Sequence, residues 1–280
     1  PRYSGLPTVL KENGYYNLFF MTHEGQYDNM NAFFRTNGYD EVFSQEDYPV
    51  DKVVNSFGVQ DDFLYDYAIP VLNQRAATGQ PFFATLLSIS NHPPYVIPPF
   101  FHPKTSEPEM QIVEYADWAL RQFFEEARKQ PWFDNTIFVL EGDHGKLVGD
   151  AECELPESYN HIPLMIYSSR IQPEEKTAFG GQVDIQPTIL GLLNIDYLQN
   201  NFGVDLLKEE RPCMFYTADN MVVGRNDTLL YLYNYETQQE LTYDIGNGKL
   251  NAVPMDDSFF PLKEYSFSML QSAEFLVKHG

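Results

Sequence analysis

Residues 6–21, LPTVLKENGYYNLFFM, predict a short helix directly before a buried strand. The apolar residues of 6–13 are spaced as on one helical face, and Gly14 is the residue type that tolerates a left-handed helix end. Residues 15–21 then form an apolar and aromatic run of strand length. This succession indicates an α/β arrangement.

The same alternation continues along the chain. After Gly58, apolar residues recur on one helical face behind two acids in the first turn, where the helix dipole favours negative charge. A second amphipathic helix is predicted over residues 110–130. Short apolar runs at residues 82–89, 136–140 and 164–167 have strand length. Strands separated by helices are typical of an α/β fold, so we expect a largely parallel central sheet with helices on both faces.

The pattern changes towards the C-terminus. A helical stretch follows residue 184, and from residue 221 short alternating runs are separated by polar turns, which predicts an antiparallel meander. An amphipathic stretch over residues 262–278 predicts a terminal helix. We therefore expect a main α/β domain over residues 1–210 and a small antiparallel α+β part over residues 211–280, with the terminal helix packed on the meander.

The charge balance limits the classes of partner. The 280 residues carry 18 Lys and Arg against 40 Asp and Glu, a net charge of −22, which argues against a duplex nucleic acid or an anionic membrane held by a broad basic surface. Because 22 Phe and 19 Tyr accompany the acids, the composition is that of a folded chain. We expect no nucleic-acid partner.

The cysteine count and the search for targeting signals limit the possible disulfides and membrane segments of the chain. Cys153 and Cys213 are too few for a disulfide framework and lack a metal-binding spacing, which leaves one bridge or two free thiols. No apolar run is long enough to span a membrane, and no signal peptide is recognisable. Because the chain begins with Pro1, we expect a portion of a longer product.

The sharpest local motif is Gly142-Asp143-His144-Gly145, directly after the apolar run of 136–140. A carboxylate and an imidazole at the end of a strand can converge on one divalent cation, and the glycines let the backbone turn tightly. The alternative is a turn in which Asp143 caps the next segment and His144 is merely solvated.

Three further histidines lie beside predicted strands. His92 follows one strand within SNHPPY and is placed to hydrogen-bond a substrate oxyanion, or else belongs to an ordinary proline turn. His161 precedes a strand, and we favour a substrate contact or a buried histidine over a metal ligand. His23, after the first strand, has the same ambiguity. No serine-hydrolase elbow, P-loop, dinucleotide fingerprint or HExxH motif occurs in the sequence.

Six segments of the sequence, taken together and in order, are similar to those of a known family. They are residues 6–42, 58–72, 81–95 (PFFATLLSISNHPPY), 134–145 (DNTIFVLEGDHG), 160–167 (NHIPLMIY) and 180–195 (GGQVDIQPTILGLLNI). Over roughly residues 3–207 this succession resembles the sulfatase-like phosphoglycerol transferases of the lipoteichoic acid synthase type, within the alkaline phosphatase superfamily.

The resemblance implies transfer or hydrolysis of anionic phospho- or sulfo-esters, such as a lipid head group or a glycan, at the outer face of a bacterial membrane. In such enzymes a threonine on a divalent ion, Mn²⁺ or Zn²⁺, forms a covalent intermediate. It implies that Asp143 and His144 are metal ligands and that His92 contacts substrate. The stretch that holds the phosphoglycerol head group corresponds to residues 26–29, so Tyr27 and Asn29 are candidate substrate contacts, with His161, although the family's arginine is missing there.

The resemblance also implies that the nucleophile and one metal ligand lie upstream of residue 1, together with a membrane anchor, so that this chain contains no catalytic nucleophile and the isolated chain is inactive. We expect an extracytoplasmic location for the full-length protein. Two alternatives stay open: a sulfatase with a formylglycine nucleophile, and a non-catalytic module that binds glycans or another envelope component through its many aromatic side chains.

Overall fold

The computed structural model describes residues 2–147, 149–246 and 248–279. The chain divides into two compact units: Pro1–Thr136 with Ser168–Arg170, and Ile137–Tyr167 with Ile171–Gly280. The described residues form one sheet in the first unit and two in the second. The predicted boundary at residue 210 stays a prediction.

The first unit contains a three-stranded parallel sheet in the order β2-β1-β3. Its strands are β1 (Tyr16–Met21), β2 (Glu41–Phe43) and β3 (Phe82–Leu87). Its helices are α1 (Leu6–Glu12), α2 (Met30–Thr36), α3 (Asp61–Ala76) and α4 (Pro108–Ala127). The predicted α1, β1, α3, β3 and α4 are thus confirmed, whereas the sequence patterns missed α2 and β2.

Helices cover both faces of this sheet, as predicted. Phe19 of β1 stacks on Phe34 of α2, with ring centroids 3.9 Å apart. Its neighbour Phe20 points to the other face, because successive side chains of a strand alternate. There Phe20 stacks on Phe43 at 4.8 Å, and Phe43 meets Tyr67 of α3 edge to face at 5.8 Å. Residues 17–21 of β1 are consequently buried.

The second unit begins with a two-stranded antiparallel ladder of β4 (Phe138–Glu141) and β5 (Leu164–Tyr167). The sequence predicted both strands without specifying how they pair, and the structure pairs them antiparallel. Within the described residues, only one short 3₁₀ turn, Glu157–Tyr159, lies between them. Parallel pairing usually needs a helical crossover, and without one the chain reverses. The start of β5 therefore lies beside the end of β4.

The rest of the second unit is the predicted meander with its terminal helix. After α5 (Ile185–Leu192), five antiparallel strands follow in the order β10-β9-β8-β7-β6. They are β6 (Met214–Ala218), β7 (Met221–Arg225), β8 (Leu229–Asn234), β9 (Gln239–Gly246) and β10 (Lys249–Ala252). Helix α6 (Phe260–His279) packs on this sheet through a cluster that includes Leu262 and the fully buried Tyr231.

Among the described residues, no helix combines the length and the apolar character that crossing a membrane requires.

Candidate functional site

The loop after β1 carries the candidate substrate contacts Tyr27 and Asn29, and it begins with Thr22 and His23. His23 is buried, at 3% exposure, with Nδ1 3.0 Å from the carbonyl oxygen of Glu24. The ring of Tyr27 lies 4.9 Å from that of His23 and is half exposed. Asp28 and Asn29 both adopt positive φ, 45° and 59°, which L-residues rarely do in succession. This backbone turn presents Tyr27 at the surface while His23 stays inside.

A fixed carboxylate supports the same loop. Glu46 accepts the backbone N–H of Gly25 with both oxygens, at 3.2 and 3.3 Å, and the hydroxyl of Ser44 at 2.7 Å. Burial on its own raises the pKa of Glu46, but the hydrogen bonds from Ser44 and Gly25 outweigh it and hold that pKa below its usual value. The loop is therefore anchored by an ionised side chain.

His92 lies in the loop after β3. Its Nδ1 is 2.8 Å from the carbonyl oxygen of Pro93, and its ring centroid is 4.2 Å from that of Phe57. A carbonyl oxygen can only accept, so Nδ1 carries the proton and Nε2 is the nitrogen available to a ligand. The side chain is exposed.

Asp61, the first residue of α3, fixes the start of that loop. Its Oδ1 accepts the backbone N–H groups of Ile89 and Ser90, each at 3.0 Å. Asp61 is 2% exposed, and burial raises its pKa although these two hydrogen bonds act in the opposite direction. The sequence pattern predicts only a helix-dipole role for the acids at this position, because a buried acid and an exposed acid in a first turn look the same in the sequence.

Asp143 and His144 follow the end of β4. The Oδ2 of Asp143 is 3.8 Å from the Nε2 of His144, and Nδ1 of His144 lies 2.8 Å from the carbonyl oxygen of Gly145. As at His92, that contact places the proton on Nδ1 and leaves Nε2 facing the carboxylate. Gln182 donates to the Asp143 carbonyl at 2.9 Å and so ties down the turn. Both side chains are more than two thirds exposed.

Negative charge accumulates at this end of β4. Partial burial, and then the carboxylate of Asp143, raise the pKa of Glu141. The exposed Nε2 of His144 lies beside the Asp143 carboxylate. Such negatively charged surroundings favour a cation over an anion as the ligand.

The antiparallel pairing of β4 with β5 brings His161 to the same end of the ladder. Glu141 is the register partner of Leu164, so the residues just before β5 lie beside those just after β4. The backbone N–H of Gly145 donates to the carbonyl of Tyr159 at 2.9 Å. A parallel pairing of these two strands would have placed His161 at the opposite end.

The candidate residues thus fall into two groups. Tyr27, Asn29 and His92 lie in the first compact unit, and Asp143, His144 and His161 lie in the second. Across residues 2–147, 149–246 and 248–279, no three His, Cys, Asp or Glu side chains are grouped so that they could hold a metal ion. Asp143 and His144 are a pair of donors, one carboxylate oxygen and one imidazole nitrogen, of the kinds that suit Mn²⁺ or Zn²⁺.

Comparison with known proteins points to one family. Residues 1–195 match the sulfatase family. The chain is 26% identical over 270 residues to lipoteichoic acid synthase 1 of Bacillus subtilis, an alignment covering 88% of this chain and 40% of that protein. It is 26% identical over 230 residues to lipoteichoic acid synthase 2 of the same organism, covering 73% of this chain and 35% of that protein.

Solved structures agree on the fold. A protein of the alkaline phosphatase superfamily from Vibrio parahaemolyticus superposes with a TM-score of 0.84 at 27% identity, covering 98% of this chain and 68% of that one. The lipoteichoic acid synthase LtaP of Listeria monocytogenes superposes with a TM-score of 0.82 at 22% identity, covering 98% and 72%. The chain spans well under half the length of the two Bacillus relatives. With 195 of its 280 residues matched, the chain belongs to the sulfatase family.

Proposed function

We propose that this chain forms part of a metal-dependent phosphoglycerol transferase or phosphodiesterase that acts on anionic esters of the bacterial envelope. The observation that carries the proposal is the Asp143–His144 pair at the end of β4, with Nε2 of His144 facing the carboxylate. The similarity to proteins named lipoteichoic acid synthase supports the class of reaction.

In this proposal Asp143 and His144 hold a divalent ion, Mn²⁺ or Zn²⁺. When bound, the ion neutralises charge that develops on the phosphoryl oxygens. The chain's own residues prepare the site: Gln182 fixes the backbone of Asp143, and the Gly145 carbonyl keeps the proton of His144 on Nδ1. Because the chain carries a net charge of −22, an anionic substrate depends on such local positive charge.

The remaining contacts are assigned to the substrate. Nε2 of His92 donates to a phosphoryl oxygen when protonated, and Tyr27 and Asn29 contact the alcohol part of the ester. His161, beside the Asp143 turn, is a further substrate contact. The nucleophile, a threonine, and a further metal ligand come from sequence outside this chain, in keeping with the 40% and 35% of the Bacillus relatives that it spans. We place the whole protein outside the cytoplasm, anchored in the membrane through that other sequence.

A sulfatase is the second candidate, because the family that matches residues 1–195 is the sulfatase family. The same donors would then bind a sulfate ester, and the nucleophile outside this chain would be a formylglycine rather than a threonine. Comparing turnover of a phosphodiester and a sulfate ester by the longer protein distinguishes the two.

Titration calorimetry of the 280-residue chain with Mn²⁺ and with Zn²⁺ tests the metal site. We expect binding that weakens at least ~10-fold in Asp143→Ala and in His144→Ala. Asp196→Ala, which removes an exposed carboxylate elsewhere in the second unit, should leave binding unchanged. Equal binding by Asp143→Ala and the unaltered chain would refute the site. No binding of either metal would favour a non-catalytic module.

Activity of the isolated chain tests the placement of the nucleophile. With saturating Mn²⁺ or Zn²⁺, we expect no turnover of a chromogenic phosphodiester by the 280-residue chain. Steady turnover that is lost in Asp143→Ala would show that the nucleophile lies within these residues and would contradict this part of the proposal.

A further inference from the structure

The segment between β4 and β5 is fastened to the C-terminal meander, and both lie within the second compact unit. Leu155 of that segment is 1% exposed and belongs to the same apolar cluster as Val223 of β7. The hydroxyl of Tyr243, on β9, donates to the carboxylate of the neighbouring Glu154. The meander therefore sets the position of this segment through an apolar contact and a hydrogen bond.

Arg225, the last residue of β7, makes another connection slightly further along the segment. Its Nε donates to Oε1 of Glu157, and its Nη1 donates to the backbone carbonyl of Asn226 at 2.6 Å. Its guanidinium lies over the ring of Phe179, 5.2 Å from the centroid. The side chains of the ion pair are only 22% and 27% exposed, so dissolved ions screen their attraction less than at the open surface. The pair joins the 3₁₀ turn Glu157–Tyr159 to the end of β7.

The same 3₁₀ turn holds the backbone beside His144. The carbonyl of Tyr159 accepts the backbone N–H of Gly145 at 2.9 Å, and the carbonyl of Gly145 lies 2.8 Å from Nδ1 of His144. A Cβ on Gly145 would lie 1.9 Å from the carbonyl oxygen of Ser158, which shows how closely the two backbones approach. A displacement of the turn would consequently move Gly145, and with it the carbonyl that orients the imidazole.

We infer that Arg225 is a positioning residue for the candidate metal ligands, and that it acts through Glu157 and the backbone of Gly145. The inference rests on the proposed function and gives the C-terminal meander a part in it. The meander supplies no ligand in this arrangement but sets the geometry of the Asp143–His144 pair. Because metal–ligand distances tolerate only small deviations, a loosened turn weakens metal binding.

Amide hydrogen exchange tests the connection without any metal. Exchange of the backbone N–H of Gly145 is measured by NMR in the ¹⁵N-labelled 280-residue chain, in Arg225→Met and in Glu157→Gln. We expect each substitution to accelerate this exchange at least ~5-fold, because the turn that carries the acceptor is released. Lys263→Met is the matched control, since it breaks a similarly half-buried ion pair of the same unit, that of Lys263 with Glu240, and should leave the exchange unchanged.

Titration calorimetry tests the consequence for the metal. We expect Mn²⁺ and Zn²⁺ to bind Arg225→Met and Glu157→Gln at least ~3-fold more weakly than the unaltered chain, and to bind Lys263→Met equally well. Because Arg225 and Glu157 act through one contact, the double variant should bind no more weakly than either single variant. A merely structural contribution of Arg225 would lower the free energy of unfolding and leave the affinity of the folded chain unchanged.

The outcomes separate this inference from the proposed function. If the unaltered chain binds metal but the exchange at Gly145 or the metal affinity is the same in both variants, the positioning role is wrong and the metal site stands. If the unaltered chain binds neither metal, the proposed function fails and the positioning role fails with it. If Arg225→Met does not fold, Glu157→Gln decides the question, because it removes the charge and keeps the size of the side chain.

Discussion

Asp61 and Ser90 hold each other across two segments of the first unit. Oδ1 of Asp61 accepts the backbone N–H of Ser90 at 3.0 Å, and Oγ of Ser90 accepts the backbone N–H of Asp61 at 3.2 Å. The start of α3 is thus tied to the loop that leaves β3, two residues before His92. A buried acid here sets the position of a candidate substrate contact without touching the substrate.

The first prediction concerns how the free energy of unfolding depends on pH through the titration of Asp61. Burial raises the pKa of Asp61 in the folded state, so the folded chain holds that proton more tightly than the unfolded chain. The resulting stabilisation is present below the unfolded pKa and is lost as the pH rises through the folded pKa. Relative to Asp61→Asn, the unaltered chain should therefore lose free energy of unfolding as the pH rises above about 4, the unfolded pKa of an Asp side chain.

Urea denaturation of both proteins at several pH values in that range measures the difference. Because all other titrating groups are shared, their contributions cancel in the comparison. A difference that stays constant with pH would mean that Asp61 titrates normally in the folded chain.

The second prediction concerns a glycine beneath the same loops. Gly58 has φ +88°, and a Cβ on it would lie 1.8 Å from the carbonyl oxygen of Thr22, just after β1. Gly79 has a similar φ of +77° but open space around it. Gly58→Ala should lower the free energy of unfolding by ~3 kcal/mol, since backbone must move, and Gly79→Ala by only ~1 kcal/mol of left-handed strain.

Thermal or urea denaturation of the two variants provides the measurement. Equal effects would show that backbone strain alone matters at both positions and that the loops around Thr22 give way readily. The expected ordering would show that close approach of residues 58 and 22 is a packing requirement of this end of the sheet.

The third prediction concerns a buried ion pair in the second unit. Nε of Arg211 donates to Oδ2 of Asp184 at 2.8 Å, and the side chains are 9% and 0% exposed. Removing one partner leaves a buried charge unpaired, so Arg211→Met should cost ~3–5 kcal/mol of stability. Lys278→Met, which breaks the exposed pair of Lys278 with Glu274, should cost less than ~1 kcal/mol.

Urea denaturation again separates the two cases. A loss in Arg211→Met no larger than that in Lys278→Met would mean that Asp184 is satisfied by its other contacts, the backbone N–H groups of Gly181 and Val204. Added salt should weaken the effect of Lys278→Met more than that of Arg211→Met, because dissolved ions screen the exposed pair much more than the buried pair.

Much of the fold follows from local patterns. The strands β1 and β3 are predictable because continuous apolar runs need burial on both faces, and α4 because its apolar residues recur over five turns. α2 escapes prediction because it has only seven residues and starts from Asn29 in a left-handed conformation. β2 is three residues long, which is too short for any periodicity.

The candidate site, like the fold, is predictable from the sequence only where its residues are close together along the chain. Asp143 and His144 are adjacent in sequence, so their proximity at the end of β4 is predictable from the motif. The place of His161 beside them depends on the antiparallel pairing of β4 and β5, which a strand pattern does not specify. The role of Asp61 was missed for a related reason: only the packing of a distant loop buries it, and burial is what distinguishes this acid from an ordinary one in a first helical turn.

The last prediction concerns the two cysteines, which the sequence left as one bridge or two thiols. Both are free in the structure. Burial raises the pKa of Cys153, whose Sγ lies 3.0 Å from the carbonyl oxygen of Leu155, and burial likewise raises the pKa of Cys213. Since the thiolate is the reactive form, iodoacetamide at neutral pH should alkylate the native chain at least ~10-fold more slowly than the urea-unfolded chain, where two adducts should form without reductant.

Mass spectrometry counts the adducts, and Cys213→Ser should leave one slow site. Rapid alkylation of the native chain would contradict the raised pKa values, whereas no adduct after unfolding would mean that the thiols are joined, because a disulfide survives urea.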